Sequence, residues 1–301
     1  MLPPNYSFEI PKTICRILES KKLDQKSCRY KVSLQFPEGL LLFATLIADI
    51  LAAFCKTEDS ALECLILGDV TYGACCVDDL ASKALECDFI VHYGHSCLVP
   101  IQELTIKNAL YVFVEIQIDI DHLVESVALN FKSEDLIYLM GTIQFNKTLY
   151  IAKTMLEKEP YLFRNLRIPQ TKPRSGGEVL GCTSPALPES GSVIFISDGR
   201  FHIESTMIKN PHLRFFQYNP YSKVMTEEVY VHEQMHSIRR GEVEKAKKAS
   251  MFGIIFGTLG RQGSQTLLKE IEGLLKKHKK PYFVLFLSEI SVPKLQKFTK
   301  V

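Results

Sequence analysis

The sequence predicts an α/β protein of three related units, each a small parallel sheet flanked by helices around a central site, with the third unit incomplete. Short apolar runs of strand type alternate with amphipathic helical stretches, which is typical of parallel sheets covered on both faces. The same order of strand, turn, helix and strand begins three times, at residues 32, 136 and 252. This internal repetition is the strongest structural signal in the chain.

We predict an N-terminal segment over residues 1–27 and a first unit over 28–130. The first strand of this unit is VSLQF at 32–36, and the turn Pro-Glu-Gly leads into a long apolar helix over 40–54. Three further apolar strands are expected at 64–67, 89–92 and 110–114. The first unit is therefore expected to hold a four-stranded parallel sheet.

The second unit, predicted over 131–245, repeats this order. Its strands are expected at 136–140, 193–196 and 213–218, and its helices at 145–158 and 203–208. The stretch 167–192 is rich in Pro, Gly and Ser and is interpreted as an ordered loop. Residues 225–248 are rich in charged side chains and are predicted to form a connecting helix with a solvated surface.

The third unit is predicted over 246–301, with strands at 252–256 and 282–287 on either side of a helix at 264–277. Two parallel strands have little core of their own, so this unit is interpreted as cut short. Without neighbouring strands, some of its apolar side chains are expected to be exposed.

Composition and charge exclude several classes of protein. Of the 301 residues, 46% are hydrophobic and 23% are charged, which excludes a disordered chain or a coiled coil. The formal net charge of +2 gives no electrostatic basis for coating nucleic acid or an anionic membrane. No apolar run approaches the roughly 20 residues of a membrane helix, and the start has no signal-peptide pattern. We therefore expect a cytoplasmic protein with no direct nucleic-acid or membrane partner.

Eight of the nine cysteines fall into two groups by their local sequence. In a reducing compartment the default role of cysteine is that of a small buried residue. This role is expected for the four in helical or strand-like settings, Cys15, Cys28, Cys55 and Cys64. A metal-binding or reactive role is favoured for the four in turn-like sequence beside Gly, Pro or His, namely Cys75, Cys76, Cys97 and Cys182.

Polar turns follow the predicted strands at the edge where open α/β sheets bind ligands. They lie at 68–76, 93–97, 197–202 and 257–264. If the three units point these ends inward, the turns line one shared site. The last of them lacks the Gly-Lys-Ser/Thr ending of a phosphate-binding loop, so ATP hydrolysis is not indicated. Arg200 and Arg261 could each bind a carboxylate bidentately, and a structural salt bridge explains each arginine equally well.

The residues alone leave two other interpretations of the site, a zinc site and a hydrolase site. His92, His95 and Cys97, with Cys75 or Cys76, could compose a tetrahedral zinc site, although their irregular spacing is unlike that of structural zinc sites. Cys75 with His92 or His95 could also form the nucleophile and base of a hydrolase, but no local signature of such enzymes is present. A simpler role for His92 is a hydrogen bond in the core.

Six segments carry a specific family resemblance. They are GDVTYGACCVDD (68–79), VHYGHSCLVP (91–100), GEVLGCTSP (177–185), DGRFHIES (198–205), NPYSKV (219–224) and GTLGRQGS (257–264). In this order, along residues 6–301, the chain resembles the eukaryotic 2-(3-amino-3-carboxypropyl)histidine synthase family. GACC followed by VDD, together with the intact GCTSP, favours the subunit 1 branch of that family over the related subunit 2.

The resemblance implies a radical enzyme of the first step of diphthamide biosynthesis. Members of the family hold a [4Fe-4S] cluster by three cysteines, one from each unit, and one open iron binds S-adenosylmethionine. The 3-amino-3-carboxypropyl group is transferred to C2 of one histidine imidazole in translation elongation factor 2. Subunits 1 and 2 act as a heterodimer, and a small metal-binding protein donates electrons.

Carried onto this chain, the resemblance assigns two of the three cluster ligands. Cys75 in GAC matches the first and Cys182 in GCTSP matches the second, with Cys76 the less favoured neighbour of Cys75. Thiolates are the usual ligands of iron–sulfur clusters. Candidate S-adenosylmethionine contacts at the strand ends are Asp198, Arg200, Gly257, Arg261 and Gln262.

The third ligand of the family lies in an Ala-Cys-Pro type motif beyond the point where this chain ends, at Val301. We therefore expect weak or absent cluster binding by this polypeptide alone. The alternatives are a shortened, non-catalytic form that binds the partner subunit or elongation factor 2, and a zinc-stabilised α/β protein.

Overall fold

The computed structural model describes residues 1–23, 29–56, 61–68, 76–94, 101–172, 174–258 and 263–298. Within these ranges the strands form a four-stranded, a five-stranded and a two-stranded sheet, together with one short two-stranded ribbon. Most neighbouring strands in the three sheets run parallel, and helices alternate with them along the chain. The predicted α/β class, with three sheets of mainly parallel strands flanked by helices, is confirmed.

The first sheet is fully parallel and has the strand order β3-β2-β4-β5. Its four strands confirm the prediction for the first unit. In chain order the elements to residue 130 are β1 (Tyr6–Ser7), α1 (Ile10–Leu23), β2 (Arg29–Gln35), a 3-10 helix (Glu38–Phe43), α2 (Ala44–Phe54), β3 (Ala61–Leu67), α3 (Asp79–Ala84), β4 (Phe89–Tyr93), a 3-10 turn (Ile101–Glu103), β5 (Ala109–Val112), β6 (Glu115–Ile116) and α4 (Ile120–Asn130).

Strand β2 presents different chemistry on its two faces because successive side chains alternate. Leu34 is completely buried and shares a core cluster with Leu51 of α2. Ser33 points to the opposite side, where its hydroxyl donates a hydrogen bond to Ser82 Oγ of α3 at 2.8 Å. Gln35 lies on this second face as well. One face of the strand therefore builds the core, and the other places polar groups towards α3.

The second sheet has the strand order β11-β10-β9-β7-β8, and β11 is an antiparallel edge strand. Its elements are β7 (Ile137–Gly141), a 3-10 helix (Ile143–Phe145), α5 (Asn146–Leu156), β8 (Leu166–Arg167), β9 (Ser192–Ile196), α6 (Phe201–Lys209), β10 (Arg214–Asn219), β11 (Val224–Glu228) and α7 (His232–Lys247). All three strands predicted for this unit are present.

The prediction of one continuous helix over 225–248 is wrong at its start. Residues Val224–Glu228 form β11, which pairs with β10, and the helix begins at His232. The cause is the turn between β10 and β11. There Asn219 Oδ1 accepts hydrogen bonds from the backbone N–H groups of Tyr221 and Ser222 at 2.9 and 3.2 Å. Such an Asx turn reverses the chain and returns it alongside β10.

The third sheet consists of two parallel strands, β12 (Phe252–Gly257) and β13 (Tyr282–Leu287), joined through α8 (Gln265–Lys277). A short helix, α9 (Val292–Leu295), and a 3-10 turn (Gln296–Phe298) follow. None of the described residues between 246 and 298 is buried. The expected exposure is clearest on α8, where Leu267, Ile271 and Leu274 form a helical stripe that faces solvent. No described helix is both long and apolar enough to cross a membrane.

Candidate functional site

The structure describes some of the predicted site residues and not others. Cys182, Asp198, Arg200 and Gly257 lie within the described ranges. Outside them lie Cys75, His95, Cys97, Arg261 and Gln262. The geometry of the candidate site is therefore built from the second sheet and from the segments that flank the remaining candidates.

Cys182 lies in a loop whose backbone is anchored while its own side chain is exposed. A tight turn closes at Leu180–Thr183, where the Thr183 N–H donates to the Leu180 carbonyl at 3.1 Å. The buried Arg174 donates from Nη1 to the carbonyl oxygen of Thr183. The Cys182 sulfur lies 3.9 Å from Thr183 Oγ1. An accessible thiol is thus presented on a fixed backbone.

The residue before this cysteine is a glycine for a steric reason. A Cβ built at Gly181 would lie 1.9 Å from the ring of Phe201, which begins α6. The hydroxyls of Ser184 and Ser205 meet at 2.6 Å and join the same loop to the same helix. The loop therefore packs directly against α6, which follows the turn that carries Asp198. The structure brings Cys182 and that turn to one end of the second sheet.

Arg200 and Asp198 have different surroundings in this turn. Asp198 is exposed at the carboxyl end of β9. Arg200 donates from Nε to Glu204 Oε1 at 2.7 Å, from Nη2 to the Val229 carbonyl at 2.7 Å, and from Nη1 to Glu228. The structural salt bridge considered for Arg200 is therefore present, whereas the Asp198 carboxylate faces outward.

Gly257 ends β12 of the third sheet, and an added Cβ there would meet no atom within 4 Å. This open surface at a strand end is compatible with the approach of a ligand to the backbone. The arginine and glutamine predicted beside it are among the candidates that the structure does not describe.

The turn that precedes α3 follows Cys75 directly and is well anchored. Asp78 caps the helix by accepting from the Ala81 N–H at 3.1 Å. The buried Asp79 accepts from the backbone N–H and the hydroxyl of Thr105 at 2.5 and 2.8 Å. The chain that follows Cys75 is therefore fixed by its own helix cap and by the segment that carries Thr105.

Most of the other described cysteines are poor metal ligands. Burial raises the pKa of Cys55 to about 11 and that of Cys64 to about 12, and burial raises the pKa of Cys87 as well. Because the thiolate is the form that binds metal, these thiols remain protonated and inert. The predicted burial of Cys15 is wrong, since it lies on the solvent side of α1, away from the buried Ile17.

The zinc alternative stays untested, because Cys75, His95 and Cys97 lie outside the described ranges. Within those ranges no three His, Cys, Asp or Glu side chains come together as a metal site. His92 is buried, and its Nδ1 lies 3.1 Å from Gln35 Oε1. The predicted hydrogen-bonding role of His92 in the core is confirmed.

Sequence reasoning missed the buried polar side chains that hold the two cysteine-bearing segments. These are Gln35 and Arg174, each 3% exposed, and Asn210, 1% exposed. The only signal available was a polar residue in an otherwise apolar setting, as with the Gln of VSLQF.

The chain is similar to known proteins in both sequence and structure. A family model described as "Putative diphthamide synthesis protein" matches residues 36–301. The chain is 47% identical to 2-(3-amino-3-carboxypropyl)histidine synthase subunit 1 of Dictyostelium discoideum, over 100% of this chain and 62% of that protein. It is 45% identical to the protein of the same name from Gallus gallus, over 100% of this chain and 70% of that protein.

Two crystal structures of Dph2 from Pyrococcus horikoshii have a similar fold. The first superposes with a TM-score of 0.76 at 24% identity, covering 97% of this chain and 81% of the other. The second, described as containing a 4Fe-4S cluster, gives a TM-score of 0.75 at 24% identity and covers 97% and 82%. The chain spans somewhat less than two thirds of the length of several of the relatives it matches by sequence.

Proposed function

Because the chain belongs to the diphthamide synthesis family, we propose that it acts in the first step of diphthamide biosynthesis. In this reaction a 3-amino-3-carboxypropyl group passes from S-adenosylmethionine to C2 of one histidine imidazole in translation elongation factor 2. The observation that carries the proposal is Cys182, an exposed thiol on an anchored loop at the carboxyl end of a parallel sheet.

We propose Cys182 and Cys75 as two thiolate ligands of a [4Fe-4S] cluster. An accessible sulfur on a backbone fixed by Arg174 suits a cluster ligand, and thiolate is the donor that iron–sulfur clusters use. This chain holds no cysteine after Cys182, so residues 246–301 supply no thiolate ligand to the proposed cluster. The chemistry that a bound cluster supplies is one-electron reductive cleavage of the Cγ–S bond of S-adenosylmethionine.

Asp198 is our first candidate for a contact with S-adenosylmethionine. Its exposed carboxylate lies at the same end of the second sheet as Cys182, where it can accept hydrogen bonds from an ammonium group. Arg200 is occupied by Glu204 and Glu228, so a role in binding the substrate carboxylate requires it to exchange these partners. Gly257, with Arg261 and Gln262, remains a candidate from the third unit.

We further propose that the protein works in the cytoplasm as one half of a heterodimer with subunit 2. The relatives are named as subunit 1, which supports a second, different subunit. Elongation factor 2 is the protein substrate, and a small metal-binding protein is the proposed electron donor. A chain that binds these partners without chemistry is the alternative, and cluster content distinguishes the two.

Anaerobic reconstitution of the complex with subunit 2 tests this proposal. We expect about four iron and four sulfide ions per chain in the unmodified complex if a ligand besides Cys75 and Cys182 completes the site, and little of either in this chain alone. Cys182→Ala should abolish most of this content, whereas Cys15→Ala, which removes another exposed thiol, should leave it unchanged. Full iron and sulfide in the Cys182→Ala variant would remove this residue from the site, and zinc in place of iron would refute the cluster.

A further inference from the structure

We propose that two buried carboxamides, Gln35 and Asn210, are positioning residues that fix the backbone beside the two proposed cluster cysteines. This inference rests on the proposed function, because the positions it explains are those of Cys75 and Cys182. Each carboxamide bridges a backbone carbonyl and the N–H group two residues further along the chain. We call each arrangement an amide clamp.

The first amide clamp starts from the last residue of β2. The Gln35 side chain is 3% exposed and points to the face of the sheet that carries α3. Its Nε2 donates to the carbonyl of Cys76 at 2.9 Å, and its Oε1 accepts from the N–H of Asp78 at 2.9 Å. The residues that this clamp holds by hydrogen bonds begin one position after Cys75. The clamp therefore fixes the backbone of residues 76–78, which follow that cysteine in the sequence.

The partners determine how the Gln35 amide is oriented. A backbone N–H can only donate and a carbonyl can only accept, so Oε1 must face Asp78 and Nε2 must face Cys76. His92 Nδ1, at 3.1 Å from Oε1, must then carry the proton and donate to the second lone pair of this oxygen. The buried imidazole thus holds the clamp in place and is not available to bind a metal through Nδ1.

The second amide clamp starts from the residue that ends α6. Asn210 is 1% exposed, and its Nδ2 donates to the carbonyls of Pro185 and Thr206, each at 3.0 Å. Its Oδ1 accepts from the N–H of Leu187 at 2.8 Å. The residues that this clamp holds begin three positions after Cys182. They belong to the loop in which Arg174 donates to the carbonyl of Thr183.

The same chemistry thus serves both cysteine-bearing segments from different elements, a strand end in one unit and a helix end in the other. Neither segment is part of a helix or a sheet ladder at the gripped residues. Backbone polar groups away from water need partners, and a carboxamide supplies both N–H donors and an acceptor oxygen at the right spacing. Groups that hold metal ligands in place from outside typically raise metal affinity by about 10–100-fold.

The test compares Gln35→Leu and Asn210→Leu with Tyr30→Phe in the full chain in complex with subunit 2. Tyr30 lies at the opposite end of β2, where its hydroxyl donates to Ser20 Oγ at 2.7 Å, so its variant also loses a buried hydrogen bond. After anaerobic reconstitution, we measure iron release to a chelator, the electron paramagnetic resonance spectrum of the reduced cluster, and hydrogen exchange of the apo-protein.

We expect each Leu variant to release iron at least about tenfold faster and to show a broadened cluster spectrum, as when groups supporting metal ligands are removed. Exchange should accelerate at the amide of Asp78 or Leu187, whereas Tyr30→Phe should leave release and spectrum unchanged. If a Leu variant fails to fold, Gln35→Ala and Asn210→Ala remove the same hydrogen bonds and leave room for water to replace them, and should show the same effects in smaller degree.

Two results overturn the inference. Faster exchange with an unchanged iron-release rate and spectrum would show that the clamps only stabilise the fold. An equal effect of Tyr30→Phe on release would show that any loss of stability loosens the cluster. Absence of iron from the unmodified complex would instead refute the proposed function and the positioning role with it, while the exchange data would still report whether the clamps hold their loops.

Discussion

Gly141→Ala should destabilise the second sheet, because this strand end has no space for a methyl group. Gly141 is the last residue of β7, between β9 and β8. An added Cβ would lie 2.7 Å from the carbonyl oxygen of Ile196 on β9, whereas ordinary contacts begin at 3.4 Å. That oxygen accepts the N–H of Thr142 at 3.2 Å, so it cannot retreat without weakening the pairing of the two strands.

The expected loss follows from the kind of atom that blocks the site. Forcing an extra methyl group into a packed interior typically costs about 1–3 kcal/mol, and a rigid backbone oxygen favours the upper half of that range. Gly141 also donates to the Gly177 carbonyl at 2.9 Å and accepts from the Val179 N–H at 3.1 Å. Displacement of the strand end should therefore loosen the segment that leads to Cys182.

Urea unfolding gives the change in the free energy of unfolding, and native-state hydrogen exchange at Val179 reports the local effect. Gly273→Ala in α8 is the matched control, because no atom lies within 4 Å of an added Cβ there. In the interior of a helix this change should stabilise by up to about 1 kcal/mol. An unchanged unfolding free energy and unchanged exchange in Gly141→Ala would show that the strand end is not packed as described.

Two further predictions concern titration. Lys223 donates a hydrogen bond to Asp119 at 2.6 Å and holds the pKa of that carboxyl below its usual range. The contribution of this pair to stability is therefore present at neutral pH. It is lost as the pH falls through the pKa of Asp119 in the folded state. Lys223→Met should raise the pKa of Asp119, as measured by carboxyl NMR. Burial raises the pKa of Cys64 to about 12, whereas Cys182 is exposed. At pH 8 a maleimide should therefore label Cys182 much faster than Cys64, as followed by mass spectrometry. Equal labelling rates would contradict the different environments of these two thiols.

The third sheet shows what a sequence pattern can predict. A helix is expected over 264–277 and is found at Gln265–Lys277, where Ser264 caps it by accepting from the Leu267 N–H. Helical period and a capping residue are local signals, and they sufficed. Strand β11 could not be predicted in this way, because its five residues show no apolar alternation. Its place is set by the side chain of Asn219 in the preceding turn.

The candidate site shows the same division between local and distant information. Cys182 could be selected from its motif, since the resemblance is carried by neighbouring residues. Gln35 could not be selected from its neighbours, because it donates a hydrogen bond to the carbonyl of Cys76, 41 positions further along the chain. Asn210 likewise donates to the carbonyl of Pro185, 25 positions before it. Folding brings such partners together through the sheet and α6, and nothing in the sequence around either amide indicates which backbone it will meet.

The edges of the second sheet determine how another chain can meet it. The unpaired backbone groups of an edge strand can hydrogen-bond a strand of another chain. Short edge strands and charged side chains on an edge strand disfavour this pairing. At one side, β8 has only two residues, Leu166–Arg167. At the other, β11 carries Glu227 and Glu228, and Arg214 of β10 pairs with Glu227 at 3.0 Å. Growth of this sheet across a subunit boundary is therefore disfavoured at both sides, so contact through helices and loops is the route left to a partner of the second sheet.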